Sequence, residues 1–161
     1  MIKESMMEEP YKTTFKDLDD MNTYLGREVG ISDWLTVDQA LINDFGRLTK
    51  DEQWIHSDPE KSAAYSPFKS TIAHGFLGLS FASHFAEKSF TLEGAKMGMN
   101  YGFDKIRFTN VVPVDSKIRG RFKLMELERR EEGAKFKMEL IIEIEGIEKP
   151  AVVAEWIALA F

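Results

Sequence analysis

Along the C-terminal third of the chain, apolar and polar residues alternate. Ile118, Phe122 and Leu124 stand among Arg119, Arg121 and Lys123, while Phe136, Met138, Leu140, Ile142 and Ile144 stand among mostly charged neighbours. A period of two is the pattern of a half-buried antiparallel strand. Glu131 to Ala134 and Gly146 to Pro150 supply turns, and Ala151 to Phe161 reads as a last, more apolar strand. Earlier strands are expected over Gly102 to Thr109 and Ile31 to Leu35. Elsewhere the period is helical. Thr14 caps a short helix carrying Leu18, Met21 and Leu25, with Gly26 as its stop. Thr36 and Gln39 have capping-box spacing before Val37, Ala40, Leu41, Phe45 and Leu48, a helix ending near Thr49. Asp58 as N-cap and Pro59 at the first position announce another, which Pro67 closes. From Gly75 to Lys88 the residues are apolar or small on every side, and a helix without a charged face must be surrounded. One buried helix followed by a meander of long strands predicts an α+β fold, a sheet curled around that helix.

Composition narrows this picture. A chain of 161 residues, 43% hydrophobic and 12% aromatic, suffices for one core and one domain, with residues 1–14 as a loosely ordered extension. A net charge of −6 argues against nucleic acid as the main partner, and an anionic ligand would need a local basic patch. With no cysteine, the chain offers no disulfide, thiolate nucleophile or thiolate-bound metal centre, which fits a reducing cytoplasm. The first twenty residues hold no apolar run resembling an export signal. The longest stretch without charge, Thr71 to Ala86, is shorter than the roughly 20 residues that span a bilayer.

Chemistry is sought first among three histidines, one of which follows an aspartate in Asp51-Glu52-Gln53-Trp54-Ile55-His56. Residues five apart point about 140° away from each other in a helix and stand about 16 Å apart in a strand, so the two converge only if the segment turns. Trp54 and Ile55 are the apolar pins for such a turn. The plainer reading is a capping aspartate beside an unrelated surface histidine. The run Thr71-Ile72-Ala73-His74-Gly75-Phe76-Leu77 then leads into the apolar helix. Gly75 at that N-terminus either donates an oxyanion-binding N–H or merely permits tight packing. His74 reads as structural, and the spacing of Asp51, His56 and His74 matches no metal-ligand signature.

Taken together, Thr49 to His56, Asp58-Pro59-Glu60, Pro67-Phe68 and Ile72 to Leu77 resemble the MaoC-like dehydratases. Within that group the chain is most similar to the nodulation-protein-N-like branch, in which glutamine and tryptophan stand where other members have asparagine and proline. The resemblance continues through Ser32-Asp33-Trp34 and Phe108 to Val114, covering about residues 20 to 161. It implies a hot-dog fold, a curved antiparallel sheet around a long helix, assembled as a homodimer with active sites near the interface. It implies hydration of trans-2-enoyl-CoA to (R)-3-hydroxyacyl-CoA, with the thioester carried by CoA or by acyl carrier protein. Its active aspartate falls on Asp51, its histidine on His56, its oxyanion glycine on Gly75 and a helix serine near the catalytic water on Ser83. One departure is Lys50, where many relatives have glycine; it either tightens the turn or adds a charge near the anionic carrier.

Hydration requires a base for water, an acid for Cα and a sink for charge on the thioester oxygen, and no metal or redox cofactor. Which of Asp51 and His56 is base stays open. Lys50, Lys69, Lys105 and Arg107 are candidates to meet CoA phosphates. Competing readings are a hot-dog thioesterase and a non-catalytic acyl-thioester-binding module.

Overall fold

The computed structural model describes residues 8–161. Its strands are β1 (Tyr11–Phe15), β2 (Glu28–Ile31), β3 (Leu35–Val37), β4 (Phe90–Leu92), β5 (Gly98–Phe108), β6 (Ser116–Arg129), β7 (Ala134–Ile144) and β8 (Ile147–Ala160). They form one sheet in the order β4-β1-β2-β6-β7-β8-β5, with β3 also on β6. All neighbours are antiparallel except β1 and β4. β7 buries Ala134, Phe136, Met138, Leu140, Ile142 and Ile144 and turns the alternate residues outward, as its period of two requires. Leu140 lies opposite Phe122 of β6 and Ala154 of β8, so the central layer of the core is made from the three long strands.

The helices are α1 (Leu18–Asn22), α2 (Gln39–Thr49), α3 (Trp54–Ser57), α4 (Pro59–Tyr65), α5 (Gly75–Ser80) and α6 (Ala82–Ser89). The α+β hot-dog arrangement is present, with one physical difference: the expected single helix over Gly75 to Lys88 is two. Ser80 Oγ donates to the Phe76 carbonyl at 2.6 Å, a back-bond that bends helices. Phe81 follows at φ −81, ψ 0, its N–H reaching Gly78 at 3.2 Å. Nor is this pair surrounded. Ala82, Phe85, Ala86 and Ser89 of α6 are buried, but Phe76 is 66% exposed, and Ser83, His84 and Glu87 face outward.

Other differences have equally local causes. Thr14 pairs in β1, and Asp17 caps α1 instead, accepting from the Asp20 N–H at 2.8 Å. Residues 11–14 of the expected loose extension are thus held in the sheet as part of β1, while residues 1–7 lie outside the described ones. Thr36 sits in β3, and α2 is capped by Asp38. The expected strand from Ile31 to Leu35 divides between β2 and β3, because Ser32 Oγ accepts the Gly120 N–H at 2.9 Å and Trp34 receives the buried Arg119 guanidinium at 4.3 Å. The last turn is tighter than expected. Gly146 at φ 74 closes it, β8 starts at Ile147, and Pro150 falls where the pairing with β7 is irregular.

What positions α6 on the sheet is the absence of two side chains. A Cβ on Gly30 would lie 1.9 Å from the Ser89 carbonyl oxygen, and one on Gly120 would lie 2.6 Å from Phe85 Cβ. The backbone cannot yield at Gly30 without lifting α6, so Gly30→Ala is expected to destabilise the protein by about 3 kcal/mol in denaturant unfolding. A loss near zero would show that α6 is free to move. Among the described residues no helix is long and apolar enough to cross a membrane.

Candidate active site

α2 stops at Lys50, whose backbone is left-handed (φ 64, ψ 22) and whose N–H reaches the Gly46 carbonyl. This conformation costs a residue with a side chain about 1–2 kcal/mol and costs glycine little, which accounts for glycine being the expected residue there. Asp51 leaves this turn with its own N–H on the same carbonyl at 3.0 Å. The contact is close: a Cβ on Gly46 would lie 2.9 Å from the Asp51 carbonyl oxygen. The chain then rises into the single turn of α3, carrying His56. Trp54 and Ile55 are its half-buried pins, and the Ile55 carbonyl accepts the Ile72 N–H at 3.1 Å. Asp51 and His56 thereby converge, with His74 as a third member. One nitrogen of each ring and a carboxylate oxygen lie within 4.8 Å of one another.

His56 is 8% exposed, and its Nδ1 lies 2.7 Å from the Ile72 carbonyl oxygen. A carbonyl only accepts, so Nδ1 carries the hydrogen and Nε2 is left bare. Burial lowers the His56 pKa below its ordinary 6.5; the Ile72 carbonyl opposes this, His74 adds to it, and Asp51 opposes it. The resting ring is therefore neutral at pH 7. The His74 ring stacks on it, centroids 3.8 Å apart and planes 26° apart. Two rings face to face hold their in-plane lone pairs side by side, which is a poor arrangement for convergence on one ion despite the spacing of a three-ligand cluster.

His56 and His74 stand between two cavities. One, of about 380 Å³, is lined by Asp51, Glu52, Arg47, Asn43 and Ser57 with both histidines. The other, of about 360 Å³, has Gly75, Gly78, Phe68, Phe108 and Val112 in its wall. Gly75 opens α5 directly after His74, where first-turn N–H groups have no partner within the helix. Ser83 is not brought to this place. It lines separate cavities and exchanges hydrogen bonds with Asn100 at 3.2–3.3 Å.

None of the four basic candidates lines either histidine cavity. Lys50 is exposed at the end of α2, and Lys69 Nζ lies 3.5 Å from the Ala64 carbonyl. Lys105 is paired with Glu155 at 3.0 Å, and the Arg107 guanidinium donates to the Ile106 carbonyl at 2.7 Å.

The structure adds Gln39, which the sequence pattern presented only as half of a capping box. Its Nε2 donates to the His56 carbonyl at 2.7 Å and to Asn43 Oδ1 at 2.9 Å, and its Oε1 accepts from the Thr71 hydroxyl. It therefore ties α3 to the segment whose next carbonyl, that of Ile72, holds the His56 ring. The only sequence signal was a polar residue at the start of an apolar stripe. Gln39→Leu is expected to cost about 1–3 kcal/mol of stability, since it strands a buried carbonyl and hydroxyl; an unchanged unfolding midpoint would deny the tie.

Residues 20–143 match the family model described as a MaoC like domain. The chain is 41% identical over 143 residues to 3-hydroxyacyl-thioester dehydratase Z of Mycobacterium tuberculosis, covering 88% of this chain and 94% of that one. It is 44% identical over 146 residues to nodulation protein N of Rhizobium meliloti, covering 89% and 90%. In fold it is similar to the R-hydratase PhaJ1 of Pseudomonas aeruginosa, with a TM-score of 0.69 and 20% identity over 84% of this chain and 81% of that one.

Proposed function

The chain belongs to the MaoC-like dehydratase family, and from that premise we propose that it adds water reversibly across a trans-2-enoyl thioester to give the (R)-3-hydroxyacyl thioester. The observation that carries this reading is the convergence of a ring nitrogen of neutral His56 with the Asp51 carboxylate, the ring's Nδ1 being held by the Ile72 carbonyl. A ring nitrogen and a carboxylate oxygen no more than 4.8 Å apart are spaced to share one water. In hydration, the water oxygen bonds to Cβ while its proton passes to His56 Nε2. Asp51 accepts a hydrogen bond from the second water hydrogen, which stays on the oxygen as the new hydroxyl, and its charge stabilises the imidazolium. The proton on Nε2 then goes to Cα as the enolate collapses, which restores neutral His56 and balances the addition. The Gly75 N–H would hold the thioester oxygen while it is negative, a contribution of about 3 kcal/mol for such a donor.

No step calls for a metal or redox cofactor, and exhaustive treatment with a chelator should leave turnover unchanged. The carrier is CoA or acyl carrier protein, and the cysteine-free chain suits the cytoplasm. The test is the fall in enoyl-thioester absorbance when the protein meets crotonyl-CoA and longer trans-2-enoyl-CoAs. Hydration restores a saturated thioester; an unaltered spectrum across the series would overturn the reading.

The same reading includes a homodimer. β5 ends the sheet, paired only with β8 in the sheet order of the described residues. Its Tyr101 is 62% exposed, and Met99, Phe108 and the neighbouring Phe76 are exposed too, Phe76 and Phe108 meeting edge to face at 5.4 Å. An apolar edge of this kind is covered in a stable protein. A second copy is the expected cover, and a monomer by light scattering would contradict it.

A further inference from the structure

One side chain touches both members of the pair without entering the chemistry assigned above. His74 is 4% exposed and stacks on His56 at 3.8 Å, with Phe45 at 5.1 Å from the same ring. Its Nε2 lies 2.8 Å from the backbone carbonyl oxygen of Asp51. Since the carbonyl accepts, Nε2 carries the hydrogen, and Nδ1 is then a lone pair, buried and without a hydrogen-bond partner among the described residues. No group among the described residues is placed to receive a hydrogen from that nitrogen, so the geometry favours the tautomer with the hydrogen on Nε2. A phenylalanine would fill the same space and stack on the same neighbour with no orphaned nitrogen. What it could not do is hold the Asp51 carbonyl.

We propose that His74 is the positioning residue of this site, fixing Asp51 through its carbonyl and His56 through its ring face. The arrangement explains why Gly46 must be bare. A Cβ there would stand 3.5 Å from His74 Cε1 and Nε2 and 2.9 Å from the Asp51 carbonyl oxygen, in the joint between them. The two contacts act on different members: the hydrogen bond sets where the carboxylate leaves the backbone, and the stack sets the plane in which His56 Nε2 points. The inference rests on the hydratase reading for its kinetic consequence but not for its geometry.

The test uses two substitutions in the full chain. His74→Phe keeps a ring against His56 and loses the donor; kcat for crotonyl-CoA hydration is expected to fall about a hundredfold, with KM changed by less than about threefold. His74→Gln offers an amide N–H to the same carbonyl and is expected to regain about tenfold of that loss. The groups around His56 are Asp51, Glu52, Arg47 and His74. Removing His74 takes away one influence that lowers the His56 pKa, so the acid limb of kcat/KM in His74→Gln moves to higher pH. A wild-type kcat in His74→Phe, or a His74→Gln no better than His74→Phe, would overturn the proposal. If His74→Phe does not fold, the pH profile of His74→Gln decides. Should wild type itself not hydrate the substrate, the hydratase reading fails, and the geometry is judged by nitrogen NMR of the substrate-free protein: a hydrogen-bonded Nε2–H on His74 supports it, and an Nδ1–H form with a bare Nε2 overturns it.

Discussion

His56→Ala and Asp51→Asn are each expected to lower kcat for enoyl-thioester hydration about a thousandfold, within the 10²–10⁴ that positioned acid–base groups contribute. Asp51→Asn is the cleaner of the two. Its side chain is exposed and its link to His74 runs through the backbone carbonyl, so the substitution removes a charge and leaves the local structure in place. Unfolding midpoints close to wild type would accompany the loss. The pH dependence follows from the direction of the His56 shift. Activity needs neutral His56, and burial, the largest influence, moves its pKa below the ordinary 6.5. The midpoint of the acid limb therefore lies below pH 6.5, where an unshifted histidine would already be half charged. Near-normal turnover in either variant would remove that residue from the mechanism.

The second large effect concerns Gly75, and here the helix geometry permits an unusually selective substitution. Gly75 is the first residue of α5, and His74 before it is extended at φ −60, ψ 138. Proline is well suited to that helix position and to that preceding conformation; it removes the N–H and adds a ring whose Cβ, like that of alanine, meets Phe108. Gly75→Pro is thus expected to lower kcat by about 10²–10³ while α5 persists. Gly75→Ala is the control. Its Cβ would meet the Phe108 ring at 2.9 Å, a side chain able to rotate, but its N–H remains. Equal losses in the two would mean that crowding against Phe108, and not the N–H, is responsible.

How much of this was legible beforehand depends on the range of the forces involved. The alternation from Phe136 to Ile144 gave β7 because burial on one face acts residue by residue. The Asp58 cap with Pro59 was readable because a cap is a contact within three residues. The placing of Thr14 was not, since its pairing with Thr91 joins positions far apart in the chain, as does the β1–β4 contact generally. The break at Phe81 was missed because a helical pattern shows which residues are apolar but not that Ser80 bonds back to Phe76. In the site, the motif proposed Asp51, His56 and Gly75; the structure brings the first two together and puts Gly75 in the wall of a second cavity that both histidines also line. The tautomer of His56 and the roles of Gln39 and His74 depend on carbonyls of Ile72, His56 and Asp51 arriving from other segments. No pattern of side-chain types reports where a backbone carbonyl will point.

Water entry is the central claim, and the most direct measurement follows its oxygen. Crotonyl-CoA is incubated with the protein in ¹⁸O-labelled water, and the products are resolved by mass, by chirality and for free thiol. Hydration by the Asp51–His56 pair yields (R)-3-hydroxybutyryl-CoA with one labelled oxygen at C3 and the thioester intact. Labelled crotonate with free CoA would instead establish hydrolysis, and recovery of unlabelled, unaltered crotonyl-CoA would contradict turnover of this thioester altogether.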